Sequence, residues 1–163
     1  MATVGKNLSA YDKDSLPDAR NFRFGIVVSE WNDDITENLY RGAVEVLTEN
    51  GVIEDNILRV NVPGSFELVY GAKKLQQSLE NLDAVIAIGS VIQGETKHFD
   101  YVCQAVSQGI KDLNVQDDTP VIFCVLTDNT KQQAIDRSGG EHGNKGAEAA
   151  VAAIKMAQLK NEL

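Results

Sequence analysis

The 163-residue chain reads as one doubly wound, three-layer α/β sandwich built on four parallel strands. Three observations predict it. Short apolar runs rich in β-branched residues alternate with longer segments of helical periodicity. The runs are apolar on both faces, as parallel strands covered by helices on each side must be. No internal repeat, linker or low-complexity run interrupts the alternation, and right-handed crossovers then follow from strand twist.

The first strand is Arg23–Ser29. From Ile35 to Asn50 the apolar residues Ile35, Leu39, Ala43, Val46 and Leu47 recur at helical spacing, and Gly51 supplies a stop. Ile57–Val62 is the second strand, ended by Pro63-Gly64. Phe66–Leu79 is the second helix, with Leu68, Val69, Ala72 and Leu75 on one face. Ala84–Ile88 is the third strand, closed by Gly89. Lys97–Leu113 is the third helix, with Tyr101, Val102, Ala105, Val106, Ile110 and Leu113 facing inward. Val121–Leu126 is the fourth strand, opened by Pro120, and Thr130–Asp136 a short helix. A Gly-rich loop over Ser138–Gly143 leads to a last helix from Asn144 to about Lys160. Residues 1–20 form a polar arm and 21–163 the single domain.

Composition narrows the class of function. A formal charge of −9 disfavours nucleic acid as a partner, so an anionic ligand has to be held by local positive groups. No apolar run is long enough to span a membrane, and Met1–Arg20 lacks the apolar core of a secretory signal. A cytoplasmic location is expected. Cys103 and Cys124 are expected to be buried free thiols, and no CxxC or HExxH pattern suggests a metal.

In a sheet of this kind ligands bind outside the carboxyl ends of the strands. The segments to read are therefore 29–34, 63–67, 89–98 and 126–129. In the first, Trp31 is the only tryptophan, either a packing residue or a face on which a flat ring stacks. In the second, Ser65 is a candidate helix cap, and Glu67 either favours the helix dipole or accepts from ligand hydroxyls. In the third, two glycines allow close backbone approach. Gly94-Glu95-Thr96 stands at a helix entrance, where unpaired N–H groups and the dipole attract an anion, although Thr96 can equally be a simple cap. His98 lies in the first turn of that helix, where the dipole favours a neutral, proton-accepting imidazole; a solvated histidine is the alternative. Arg137 and Lys145 bracket the Gly-rich loop and offer a planar fork and a point charge to phosphate, with simple surface solvation as the alternative.

Together these segments resemble the lumazine synthase family. The matching pieces are Trp31-Asn32, Val62–Glu67, Gly89–Val102, Pro120–Thr127 and Arg137–Gly146, in the family's order and spacing over about residues 22–160. The resemblance implies a flavodoxin-like domain. It condenses 5-amino-6-(D-ribitylamino)uracil with 3,4-dihydroxy-2-butanone 4-phosphate, with no metal and no organic cofactor. Position by position, it implies that Trp31 stacks on the pyrimidine with Asn32 beside it. Ser65, Phe66 and Glu67 hold the ribityl chain. Ser90, Val91 and Ile92 frame the ring through their backbone. Gly94, Glu95 and Thr96 cradle phosphate, Arg137 clamps it, and His98 moves protons. Phe123 walls the pocket and Lys145 meets a pyrimidine carbonyl.

The resemblance further implies a homo-oligomer whose sites span two subunits, with Phe123, Arg137 and Lys145 supplied by the neighbour. Pentameric rings are the expected unit, with a sixty-subunit icosahedral shell favoured by the short segment from Arg137 to Lys145. The N-terminal arm is expected to add to a neighbouring subunit's sheet, and riboflavin synthase is a candidate partner. Gly140-Glu141-His142 departs from the more basic stretch expected there. Three rivals share the fold class. A flavodoxin-like electron carrier requires a Ser/Thr-rich loop after the first strand, where Glu30, Asp33 and Asp34 stand instead. A receiver domain needs an aspartate at the end of the third strand, where Gly89-Ser90 stands. A purely structural shell protein does not need the polar residues clustered at the strand ends.

Overall fold

The computed structural model of the chain describes residues 7–78 and 81–163. Four strands, β1 (Phe24–Ser29), β2 (Ile57–Val62), β3 (Ala84–Ile92) and β4 (Val121–Asp128), form one parallel sheet in the order β2-β1-β3-β4. The helices are α1 (Asp33–Glu49), α2 (Leu68–Ser78), α3 (His98–Gln116), α4 (Lys131–Arg137) and α5 (Lys145–Glu162). The expected three-layer sandwich is the one observed.

The two faces follow from the period-two alternation of the strands. Phe24, Ile26 and Val28 of β1, with Ile86 and Ile88 of β3, pack beneath α1 and α5 against Ile35, Leu39, Ala150 and Ile154. Val27, Val85, Ala87 and Val125 point the other way, onto Leu68, Ala72, Val106 and Ile110 of α2 and α3. Every residue of β1 is buried, since this strand is central and covered on both sides. Full burial of each such side chain contributes roughly 1.5–3 kcal/mol.

The α1–α5 contact depends on small residues. Ala147, Ala149, Ala150, Ala153 and Ala157 are buried along α5. A Cβ on Gly146 would lie 1.8 Å from the Leu39 carbonyl oxygen of α1. The Asn144 side chain caps α5 by accepting from the Gly146 N–H at 2.8 Å and donates to the Asn38 carbonyl at 2.8 Å.

Several expectations need correction. β3 does not stop at Gly89 but runs on to Ile92, and β4 on to Asp128, because Gly89–Ile92 pair in register with Val125–Asp128. The second helix opens with a 3-10 turn at Ser65–Glu67, and Ser65 does not cap it; Leu79, its expected end, lies outside the described residues. Tyr101 is 70% exposed, so the inward stripe of α3 is narrower than predicted. Cys124 is buried, and burial pushes its thiol up to about 12. Cys103 is free but only half-buried. The Gly-rich loop forms a small antiparallel hairpin, β5 (Ser138–Gly140) with β6 (Gly143–Asn144).

Of the N-terminal arm, residues 1–6 lie outside the described ones. Residues from Asn7 onward rest on their own chain: the Leu8 N–H donates to the His142 carbonyl at 2.8 Å, and Tyr11 Oη to Glu49 Oε2 at 2.9 Å. Among the described residues no helix is long and apolar enough to cross a membrane.

Candidate active site

The carboxyl ends of β1, β2 and β3 open into a single cleft of about 690 Å³, of a size suited to a small-molecule ligand. The β1–β2 ladder is prolonged past the strands by Glu30 N–H to the Val62 carbonyl at 2.8 Å and Trp31 N–H to the Pro63 carbonyl at 3.2 Å. Asn32 then turns into the left-handed region at φ 60° and ψ 49°. There it donates from Nδ2 to the Ser90 carbonyl at 3.0 Å, tying the end of β1 to β3. An asparagine tolerates this backbone better than most residues, and the bond gives it a reason to be there.

Two aromatics stand out at the cleft. Trp31 is 72% and Phe66 58% exposed, and both line it. Packing is therefore not the role of Trp31 within one chain; its face is available to a flat ring. Glu67 is also exposed at the cleft.

Deeper in, Ser65 and Ser90 line the cleft and are buried, and neither Oγ has a hydrogen-bond partner among the described residues. An unpaired buried hydroxyl costs roughly 1–3 kcal/mol, a cost that a hydroxyl-bearing ligand can relieve. Gly89 admits this arrangement, though not by approaching a ligand. A Cβ there would meet Ser65 Oγ at 2.6 Å and Leu68 Cδ1 at 2.8 Å. Gly89→Ala is thus predicted to push the buried Ser65 and Leu68 side chains aside and to cost about 1–3 kcal/mol. Thermal denaturation should show a Tm lower by a few degrees; an unchanged Tm would contradict the tight contact.

The segment Gly94–Thr96 precedes α3 at the open side of the cleft. No atom lies within 4 Å of where a Gly94 Cβ would stand. Thr96 Oγ1 accepts from the His98 N–H at 3.3 Å, a local turn that does part of the capping work, while Lys97 occupies the cap position without a side-chain bond. His98, the first residue of α3, is exposed and lines the cleft. Val91 and Ile92 line it too, whereas Glu95 does not.

Gly64, Phe99 and Val102 also line the cleft, and sequence reasoning had not assigned them to it. The available signal was helical spacing: Val102 follows His98 by four residues and Phe99 by three, so the three share one face of α3.

Phe123, Arg137 and Lys145 do not line the cleft of their own chain. Phe123 lies on β4 and is 37% exposed, although its strand is covered by helices. Arg137 ends α4, and its Nη1 donates to the Gln133 carbonyl at 3.0 Å and stands 3.7 Å from Asp128 Oδ1. Lys145 opens α5 and pairs with Glu148 at 2.5 Å, while its carbonyl accepts from Cys124 Sγ at 3.7 Å. Among the described residues no group of His, Cys, Asp and Glu is placed to hold a metal ion.

The cleft thus combines exposed aromatic faces, buried hydroxyls, a helix entrance and an imidazole. That set suits a flat, polar small molecule. The model of the family described as 6,7-dimethyl-8-ribityllumazine synthase matches residues 21–161. A protein of that name from Christiangramia forsetii is 68% identical over 162 residues, covering 99% of this chain and 96% of the relative. One from Flavobacterium johnsoniae is 69% identical over 162 residues, covering 99% and 85%. A more distant one from Porphyromonas gingivalis is 56% identical over 160 residues, covering 98% and 99%.

Proposed function

The chain belongs to the 6,7-dimethyl-8-ribityllumazine synthase family, and we propose that it is a transferase. Its reaction joins 5-amino-6-(D-ribitylamino)uracil to 3,4-dihydroxy-2-butanone 4-phosphate, with loss of phosphate and water. The observation that carries this reading is the cleft itself, where the family's motif residues from three strand ends converge. The pyrimidine stacks on Trp31 with Asn32 beside it. The ribityl hydroxyls meet Ser65, Phe66 and Glu67, and the orphaned Ser65 Oγ supports this part of the reading. Ser90, Val91 and Ile92 frame the ring. The phosphoryl group sits at the N–H groups of Gly94, Glu95 and Thr96, where the start of α3 favours an anion.

Phe123, Arg137 and Lys145 serve the cleft of a neighbouring copy. Their absence from the cleft of their own chain, with Phe123 exposed, supports that reading. The assembly is a pentameric ring, and the short 137–145 segment favours a closed icosahedral shell. Residues 1–20 are the arm and 21–163 the one domain; since the arm from Asn7 onward rests on its own chain, pairing with a neighbour's sheet falls to the segment ahead of Asn7. The enzyme works in the cytoplasm and hands its product to riboflavin synthase.

Neither reactant needs strong activation. The amine attacks the ketone, an imine forms, phosphate is eliminated and the second ring closes. Holding the two molecules together supplies much of the acceleration, roughly 7–11 kcal/mol in favourable cases. Proton movement falls to His98, which is exposed at the cleft and so can exchange protons with water.

The test is turnover with the two named substrates, read as phosphate release and appearance of the lumazine chromophore. Failure of the pure, folded, assembled protein to form the product would overturn the proposal. A positioned acid/base typically contributes about 10²–10⁴-fold. Because the imine chemistry is intrinsically facile, His98→Ala is expected to slow turnover at the low end of that range, with the fold retained. Unchanged turnover would remove His98 from the mechanism.

A further inference from the structure

The end of β4 carries a buried carboxylate that the reaction described above does not use. Asp128 is 7% exposed. Its main-chain carbonyl accepts the Gln93 N–H at 2.9 Å, immediately before the Gly94–Thr96 segment. Its side chain faces α4, where Oδ1 lies 3.7 Å from Arg137 Nη1. That separation is an ion pair and not a hydrogen bond. Oδ2 has no hydrogen-bond partner among the described residues.

A buried carboxylate with so few bonds is costly to keep charged. Burial indeed pushes the Asp128 carboxyl above its ordinary range, while the Arg137 guanidinium pulls it back and Asp136 opposes that pull. The side chain therefore contributes little as a strand anchor, a task its main chain performs. Among the described residues its close opposite charge is Arg137. The looseness of the pair has a consequence. Nη1 of Arg137 is occupied by the Gln133 carbonyl at 3.0 Å, but Asp128 consumes none of the remaining guanidinium donors. It lowers the positive potential without blocking the fork.

We propose that Asp128 is a positioning residue that acts through Arg137 as its counter-ion, weakening the guanidinium's pull on the phosphoryl group so that product phosphate can leave. This rests on the reading of Arg137 as the phosphate clamp. An unopposed guanidinium on a side chain only 26% exposed would hold a released dianion tightly. The nearby carboxylate offsets part of that attraction in both the substrate and the product complex.

The experiment uses the assembled protein and inorganic sulfate, a dianion of fixed charge near neutrality, as a competitor of the phosphorylated butanone. Asp128→Asn should tighten sulfate inhibition roughly tenfold, the scale of one unit charge acting across several ångströms of partly solvated protein. It should also lower KM for the phosphorylated substrate and leave KM for the pyrimidine unchanged. It should reduce kcat, because phosphate leaves more slowly. Asp128→Glu should return the sulfate constant towards that of the unmodified protein.

A merely structural role would weaken sulfate and raise both KM values. Unchanged or weaker sulfate inhibition in folded Asp128→Asn overturns the proposal. Asp128→Ser, also neutral, is read by the same criteria if the Asn variant does not fold. Arg137→Ala separates the two layers. If it leaves sulfate inhibition intact, the clamp reading itself fails. If it abolishes inhibition while Asp128→Asn changes nothing, only the assignment of Asp128 fails.

Discussion

Arg137→Ala is expected to raise KM for 3,4-dihydroxy-2-butanone 4-phosphate by roughly 10²-fold or more, while direct titration of the pyrimidine shows near-normal affinity. Truncating one partner of a buried hydrogen-bonded charge pair costs about 2–5 kcal/mol, and each 1.4 kcal/mol is tenfold. A phosphate clamp built on Arg137 would fall in that range. The side chain is only 26% exposed, so water does not screen it fully. One donor is anchored on the Gln133 carbonyl at 3.0 Å, which fixes the plane of the fork before ligand arrives. Arg137→Lys should recover part of the loss, since an ammonium keeps the charge but not the bidentate geometry. Equal losses for both substrates in Arg137→Ala would show that the residue supports the site as a whole and does not grip phosphate.

The second large effect is complementation. His98→Ala and Arg137→Ala proteins, each nearly inactive, should regain activity when unfolded together and reassembled. His98 lines the cleft and Arg137 does not line the cleft of the same chain. A site made from one subunit's His98 and its neighbour's Arg137 is then intact wherever an Arg137→Ala chain lies beside a His98→Ala chain in the right order. In a randomly mixed ring with head-to-tail contacts that holds for about one site in four. Activity near that fraction supports a shared site. Verified mixed rings with no activity above the two parents would place both residues in one subunit's site.

The α/β framework was legible because burial on both faces writes itself into composition. β1 and β3 contain almost nothing that water would favour, and α1 presents Ile35, Leu39, Ala43, Val46 and Leu47 at the spacing observed in its buried stripe. The errors share a cause: local rules met tertiary contacts they cannot see. Gly89 reads as a strand end, yet it sits inside β3 because Ser65 and Leu68 need the space its missing side chain leaves. Tyr101 fits the helical stripe of α3 but is exposed, since it falls in the first turn, at the cleft side of the sheet. Ser65 looks like a cap, but the chain enters α2 through a 3-10 turn that buries the hydroxyl.

The site divides in the same way. Trp31, Phe66 and His98 were findable because they follow strands, and the parallel topology brings such segments together. Asp128 was not. The sequence shows one more acid after a strand, in a chain with 24 of them. Its burial and its approach to Arg137 arise only when α4 folds back on the end of β4.

A crystal structure of the protein with a phosphonate-bearing mimic of the condensation intermediate tests the central claim most directly. The phosphonate should lie against the Gly94–Thr96 backbone, with Arg137 of an adjoining subunit bonded to it and the heterocycle stacked on Trp31. A phosphonate bound elsewhere, or gripped at that place by Arg137 of the same subunit, would contradict the account.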